Sequence, residues 1–128
     1  MKLLLDTHTL LWWYADDDRL STAARAAIRR TDHEVLVSAA SAWEIATKAR
    51  LGKLSGVERL LSGFGSLLEA DRFTLLPMTH AHALLAGGFA QAHRDPFDRM
   101  LAAQALIEDA TLVTNDGALH AFGIRTLW

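Results

Sequence analysis

The chain has 128 residues, 51% of them apolar and 22% charged, which is enough for one domain with a sizeable core and excludes a disordered chain. Its 13 Lys and Arg against 15 Asp and Glu give a net charge of -2. This excludes a binder that holds nucleic acid by summed phosphate neutralisation, though not a nuclease whose carboxylates hold cations. With no cysteine and no apolar run near the ~18 residues of a membrane span, disulfides, thiolate metal sites and membrane attachment are excluded, and a cytoplasmic protein is expected.

Taken in order, Leu3-Leu4-Leu5 predicts a first buried strand, cut by Asp6 too early for a signal peptide. A short helix starts at Thr7 and carries the aromatic run Trp12-Trp13-Tyr14. Ser21 to Arg30 predicts a capped helix with Ala and Ile on one face, and Glu34 to Ser38 a second strand. Ser41 to Leu51 predicts a helix stopped by Gly52, and Val57 to Ala70 a further helix weakened by Gly63 and Gly65. Phe73 to Leu76 predicts a third strand. The pair His80 and His82 lacks a third ligand and is expected at a solvated helix start after Pro77. In His93-Arg94-Asp95-Pro96-Phe97-Asp98, Asp95 takes the N-cap, Pro96 the first helical position and Asp98 the third, and the helix runs on through Ile107. Thr111 to Thr114 predicts a fourth strand and Ile124 to Leu127 a fifth at the sheet edge. Strands alternating with helical segments predict an α/β fold on a parallel sheet of four to five strands, one domain over residues 1–128.

Ligands of open α/β sheets collect beyond the carboxyl ends of the strands. Asp6 follows the first strand, Glu44 lies early in the helix after the second, Asp98 sits in a first helical turn, and Asp116 stands two residues past Thr114. Four carboxylates brought to one rim would repel one another without a counter-charge, and hard oxygen donors suit Mg²⁺ or Mn²⁺. Such a cluster supports phosphodiester hydrolysis by a cation-activated water, with no side-chain nucleophile.

The stretches Leu-Leu-Leu-Asp-Thr-His-Thr-Leu-Leu-Trp from Leu3, Ser-Ala-Ala-Ser-Ala-Trp-Glu-Ile-Ala-Thr-Lys from Ser38, Arg-Asp-Pro-Phe-Asp-Arg-Met-Leu-Ala-Ala-Gln-Ala from Arg94 and Thr-Leu-Val-Thr-Asn-Asp from Thr111 together resemble PIN-domain ribonucleases. Within that family the likeness is to the VapC-type toxins of bacterial toxin-antitoxin pairs, and it covers essentially the whole chain. The resemblance implies a three-layer α/β/α sandwich, Mg²⁺- or Mn²⁺-dependent cleavage of RNA, a homodimer, and inhibition by a cognate antitoxin whose tail covers the acidic pocket. By motif match it assigns Asp6, Glu44, Asp98 and Asp116 to the catalytic metal site, with Asp95 belonging to a subgroup variant.

Each residue also has a plainer reading. Asp6 and Asp95 could cap helices, Asp98 could serve the helix dipole, and Asp116 before Gly117 could be a turn. Glu44 could pair with Lys48 one helical turn on, worth about 0.2 to 0.5 kcal/mol on a surface. Thr7, Thr114 and Asn115 could hold a metal water or a phosphate oxygen, or satisfy turn backbone. His8 and His93 are possible pocket residues. Lys48, Arg50, Lys53, Arg94 and Arg99 flank the acids and could meet RNA phosphates, or form an ordinary solvated face. The run Trp12-Trp13-Tyr14 exceeds what a core can bury on every side, so part of it is expected in an interface with the antitoxin or a second protomer. Two other classes compete. An aspartyl phosphotransferase or phosphatase also opens with Asp after a first strand but wants a second Asp where this chain has His8, and a non-catalytic PIN-fold binding module would have lost acids that are all present here.

Overall fold

A computed structural model describes residues 1–128. Five parallel strands, β1 (Lys2–Leu5), β2 (Glu34–Ser38), β3 (Thr74–Leu76), β4 (Thr111–Val113) and β5 (Thr126–Leu127), form one sheet in the order β3-β2-β1-β4-β5. Central β1 pairs with β2 from Lys2 opposite Glu34 to Leu5 opposite Val37, and with β4 from Leu3 opposite Thr111 to Leu5 opposite Val113. The expected parallel sheet is present, with all five of its strands.

Leu3, Leu4 and Leu5 are wholly buried, as a strand covered on both faces requires. Their alternation divides the core. Leu3 and Leu5, with Val35, Val37 and Val113, meet helices α1 (Thr7–Ala15), α2 (Thr22–Arg29), α3 (Ala39–Arg50), α4 (Glu58–Ser62) and α5 (Phe64–Ala70) through Leu10, Ile28, Ile45, Leu60 and Leu68. Leu4, Leu36 and Leu112 face the other way, onto Leu101, Ala102 and Ala105 of α7 (Pro96–Ile107) and onto Leu119 and Phe122 of the 3₁₀ helix Gly117–Phe122. Helix α6 (His80–Gly88) packs beside α7. The result is the three-layer sandwich.

Local boundaries follow from caps. The Ser21 hydroxyl accepts the Ala24 N–H and starts α2. Helix α3 begins at Ala39, two residues before the position expected, because Ser38 ends β2 and also caps the helix through Ala40 N–H. At its far end Gly52 takes φ +74 and the Lys53 N–H reaches back to the Lys48 carbonyl, the left-handed stop that glycine permits. The helix expected over Val57 to Ala70 is two helices, broken at Gly63, whose carbonyl accepts the Leu67 N–H at the start of α5.

His82 departs from its expected solvated place. It is 1% exposed, its Nδ1 takes the Thr79 N–H, and its Nε2 lies 3.0 Å from Glu108. The N3 imidazole closes a capping box with Thr79, and what looked like a polar helix start is a buried tie between α6 and the end of α7. No helix is long and apolar enough to cross a membrane.

Candidate active site

The sheet reverses its winding at β1, with β2 and β3 on one side and β4 and β5 on the other, and such a switch leaves a crevice at the carboxyl ends of its strands. A cavity of about 510 Å³ lies there, walled by Asp6, His8, Trp12, Arg19, Glu44, Lys48, Asp95, Asp98, Asn115 and Asp116. Five carboxylates from four segments face two basic side chains.

Asp6 is 6% exposed and makes no side-chain cap to α1. Its Oδ2 accepts the Thr114 hydroxyl at 2.6 Å, and that hydroxyl oxygen in turn accepts the Asp116 N–H at 3.0 Å. Thr114 therefore joins the ends of β1 and β4 through side chains, where the Asp6 N–H to Val113 carbonyl bond joins them through backbone. Burial raises the Asp6 carboxyl above its ordinary value; the Thr114 hydrogen bond and His8 oppose this, while Glu44 adds to it.

Glu44 is 3% exposed on the inner face of α3, and the Lys48 ammonium bonds its Oε2. The i,i+4 pair expected as a surface alternative thus exists, but it stands in the cavity wall. Desolvation lowers Lys48, and Glu44, with Asp95 and Asp98 beyond it, outweighs that and holds the ammonium above its usual range.

On α7 the two aspartates divide their work. Asp95 Oδ1 caps the helix, accepting from Phe97 N–H at 2.9 Å and Asp98 N–H at 3.2 Å. Asp98 instead takes His93 Nε2 at 2.8 Å on its Oδ2. Burial pushes the Asp98 carboxyl up to about 6, the His93 hydrogen bond opposes, and repulsion from Asp95 and Asp6 adds to the rise. Asp116 caps the 3₁₀ helix through the Ala118 N–H and keeps a place in the cavity wall.

Of the uncharged candidates, Asn115 lines the cavity and Thr114 reaches it only through its bond to Asp6, whereas Thr7 turns its hydroxyl to Ser41 at 3.0 Å and does not line it. His8 lines it; His93 reaches it through Asp98. Among the five basic candidates only Lys48 is in the wall. Arg50, Lys53 and Arg94 are exposed elsewhere, and Arg99 spends its guanidinium on four backbone carbonyls, which removes it as a phosphate contact. Arg19 was not singled out in the sequence. It comes from the turn after α1, lies 5.2 Å from the Trp12 ring centre and pairs with Asp17; no local pattern marks a loop arginine as a wall residue.

Apart from the His8 imidazole, the donors in the wall that could meet a cation are carboxylate and amide oxygens, a set suited to Mg²⁺ or Mn²⁺. As arranged, no three carboxylate or imidazole groups are close enough to enclose one ion.

A switch-point crevice lined by acids on a three-layer parallel fold is the architecture of a PIN domain. The PIN-domain family profile matches residues 3–124, and the chain belongs to that family. It is 36% identical over 121 residues to Ribonuclease VapC22 of Mycobacterium tuberculosis (strain ATCC 25618 / H37Rv), covering 93% of this chain and 90% of that protein. The fold is shared with VapBC2 of Rickettsia felis, solved bound to a promoter DNA fragment (TM-score 0.73, 15% identity, 99% of this chain and 98% of that one). It is shared also with DNA-bound VapBC of Salmonella typhimurium (TM-score 0.68, 20% identity, 99% and 97%).

Proposed function

We propose that this protein is a Mg²⁺- or Mn²⁺-dependent endoribonuclease, the toxin of a toxin-antitoxin pair, acting on cytoplasmic RNA. The observation that carries the reading is the cluster Asp6, Glu44, Asp98 and Asp116 around one crevice, taken with the likeness over most of its length to a protein named a ribonuclease. These four carboxylates would hold the cation, with Asp95 and Asn115 beside them. A divalent ion bound there supplies the positive charge that polarises a phosphoryl group and activates water for attack.

The chain's own residues set the conditions. The Thr114 hydroxyl keeps Asp6 oriented, Lys48 neutralises Glu44, and Arg19 and Lys48 are the cationic groups beside the acids that could receive RNA phosphates. Trp12, in the wall of the crevice, offers a ring face for an unstacked base.

A second, apolar groove of about 380 Å³ shares His8, Trp12 and Arg19 with the crevice and continues along Tyr14, Leu54, Val57, Leu60 and Leu67. Trp12 and Tyr14, which line this groove, both retain partial exposure, which supports an antitoxin segment lying here with its end over the acids; Trp13 instead packs on Phe73 and donates to Asp71. The homodimer we assign to the mainly apolar groove where Trp43 (57% exposed) and Met78 stand out beside Phe97.

Incubating the purified chain with single-stranded RNA tests the activity. Cleavage is expected with Mg²⁺ or Mn²⁺, and loss of it in EDTA and in Asp6→Asn and Asp98→Asn. Undiminished cutting by both variants in EDTA would overturn the reading.

A further inference from the structure

Residues 89–95, between α6 and α7, have no helix or strand of their own. They nevertheless deliver His93 to Asp98 and Asp95 to the start of α7. A segment without a backbone ladder must have its carbonyls satisfied, and its shape set, by something else. Here one side chain does both. Arg99 donates from Nε to the Ala86 carbonyl at 2.9 Å and from Nη2 to Phe89 at 2.8 Å; its Nη1 serves Gln91 at 2.7 Å and His93 at 2.9 Å. The Arg99 guanidinium carbon also lies 5.9 Å from the Phe89 ring centre. Phe89 and His93 both pack their rings on Phe122, at 4.7 and 5.6 Å.

The grip falls on both sides of one hydrogen bond. Arg99 follows Asp98 in the chain, and it holds the carbonyl of His93 itself, so a single planar fork fixes the backbone that carries each partner of the His93–Asp98 contact. An imidazole N–H bound to one carboxylate oxygen fixes the rotation of that carboxylate, and Asp98 Oδ1 is left without a protein partner. A lysine could not do the same, because one ammonium with three donors cannot span four separate carbonyls.

We propose that Arg99 is a positioning residue of the nuclease site, holding the 89–95 segment so that His93 fixes the Asp98 carboxylate in the orientation that receives a divalent cation. The inference rests on the cation-dependent reading of the crevice. Arg99 does not line the crevice and acts only through its neighbours.

The experiment uses the full chain and Mn²⁺ alone as probe. Free Mn²⁺ is counted by electron paramagnetic resonance during titration, beside thermal melting and RNA cleavage. Arg99→Met and Arg99→Lys are each expected to weaken Mn²⁺ binding about tenfold. His93→Ala keeps the His93 carbonyl, and so every Arg99 bond, and is expected to weaken binding by a like factor. The double variant Arg99→Met/His93→Ala is expected to be no worse than Arg99→Met, since both act through one contact. The Mn²⁺ concentration for half-maximal cleavage should rise in step, with KM for RNA little changed. A merely structural arginine predicts a lower melting temperature and a smaller active fraction with unchanged Mn²⁺ affinity, and that result overturns the proposal. If Arg99→Met does not fold, unchanged affinity in His93→Ala overturns it equally. A wild-type chain that neither binds Mn²⁺ nor needs it to cut RNA removes the nuclease reading and this inference with it.

Discussion

Thr114 donates its hydroxyl to Asp6 at 2.6 Å across 108 positions of sequence, and receives the Asp116 N–H on the same oxygen. The Asp116 N–H can only donate, so the hydroxyl oxygen accepts it and gives its one hydrogen to Asp6, and two of the four assigned acids are tied to one small side chain.

Thr114→Val keeps the shape and removes the donor. The hydrogen bond lowers the Asp6 carboxyl against burial, so its loss should let Asp6 hold a proton at higher pH. The acidic limb of the pH-rate profile is expected to move upward, and stability to fall by about 1–3 kcal/mol as the buried carboxylate and the Asp116 N–H lose their partner. A profile superimposable on the wild type would count against the tie.

Asp98 should behave in the opposite sense to a paired surface acid. Its folded carboxyl titrates at about 6 against an ordinary 3.8, so between those values the native state binds more protons than the unfolded one. Stability from this group therefore rises as pH falls from 7 through 6 and is complete below about 4. Asp98→Asn is expected to abolish cleavage while raising unfolding free energy at pH 7 on the order of 1–2 kcal/mol, after allowance for its partial exposure. Denaturant melts of both proteins at pH 5 and pH 7 check this, the gain being smaller at pH 5.

Lys48 has 32% of its side chain exposed and Glu44 only 4%, so the pair is neither a free surface bridge nor a fully buried one. Lys48→Met leaves the Glu44 carboxylate unpaired and should cost about 1–2 kcal/mol, whereas Lys48→Met/Glu44→Gln should recover part of that loss without recovering cleavage. Melting temperatures of the three proteins and one activity assay decide it.

His82→Leu fills a similar space but leaves the Thr79 N–H and Glu108 without the imidazole. A loss of about 1–3 kcal/mol is expected, read by urea denaturation. Because His82 lies outside the crevice, the folded variant should keep its cleavage rate.

Much of the fold is legible along the chain because burial on both faces writes strands as unbroken apolar runs. Leu3-Leu4-Leu5 and Val35-Leu36-Val37 need no partner to be recognised, and Asp6 and Asp116 can be located by their place just past such runs, whereas Glu44 and Asp98 lie within helices and Glu44 is told from a partner of Lys48 only by the motif resemblance. The break at Gly63 is less legible, since glycine weakens a helix in either case and only the tertiary structure, which seats Leu60 and Leu68 in one core from two short helices, decides that two replace one.

By itself, then, the sequence determined which segments are strands, which acids follow them, and that oxygen rather than sulfur must meet any cation, because periodicity and residue chemistry are local. What the tertiary structure decided is how each polar group is used. Strand order placed Thr114 on Asp6; helix packing turned Glu44 and Lys48 into the crevice; and chain reversal after α6 turned Arg99 from a candidate phosphate contact into the clamp of its own loop. A hydrogen-bond donor carries no label for its acceptor, and the choice among acceptors is made only when distant segments are brought within about 3 Å of one another.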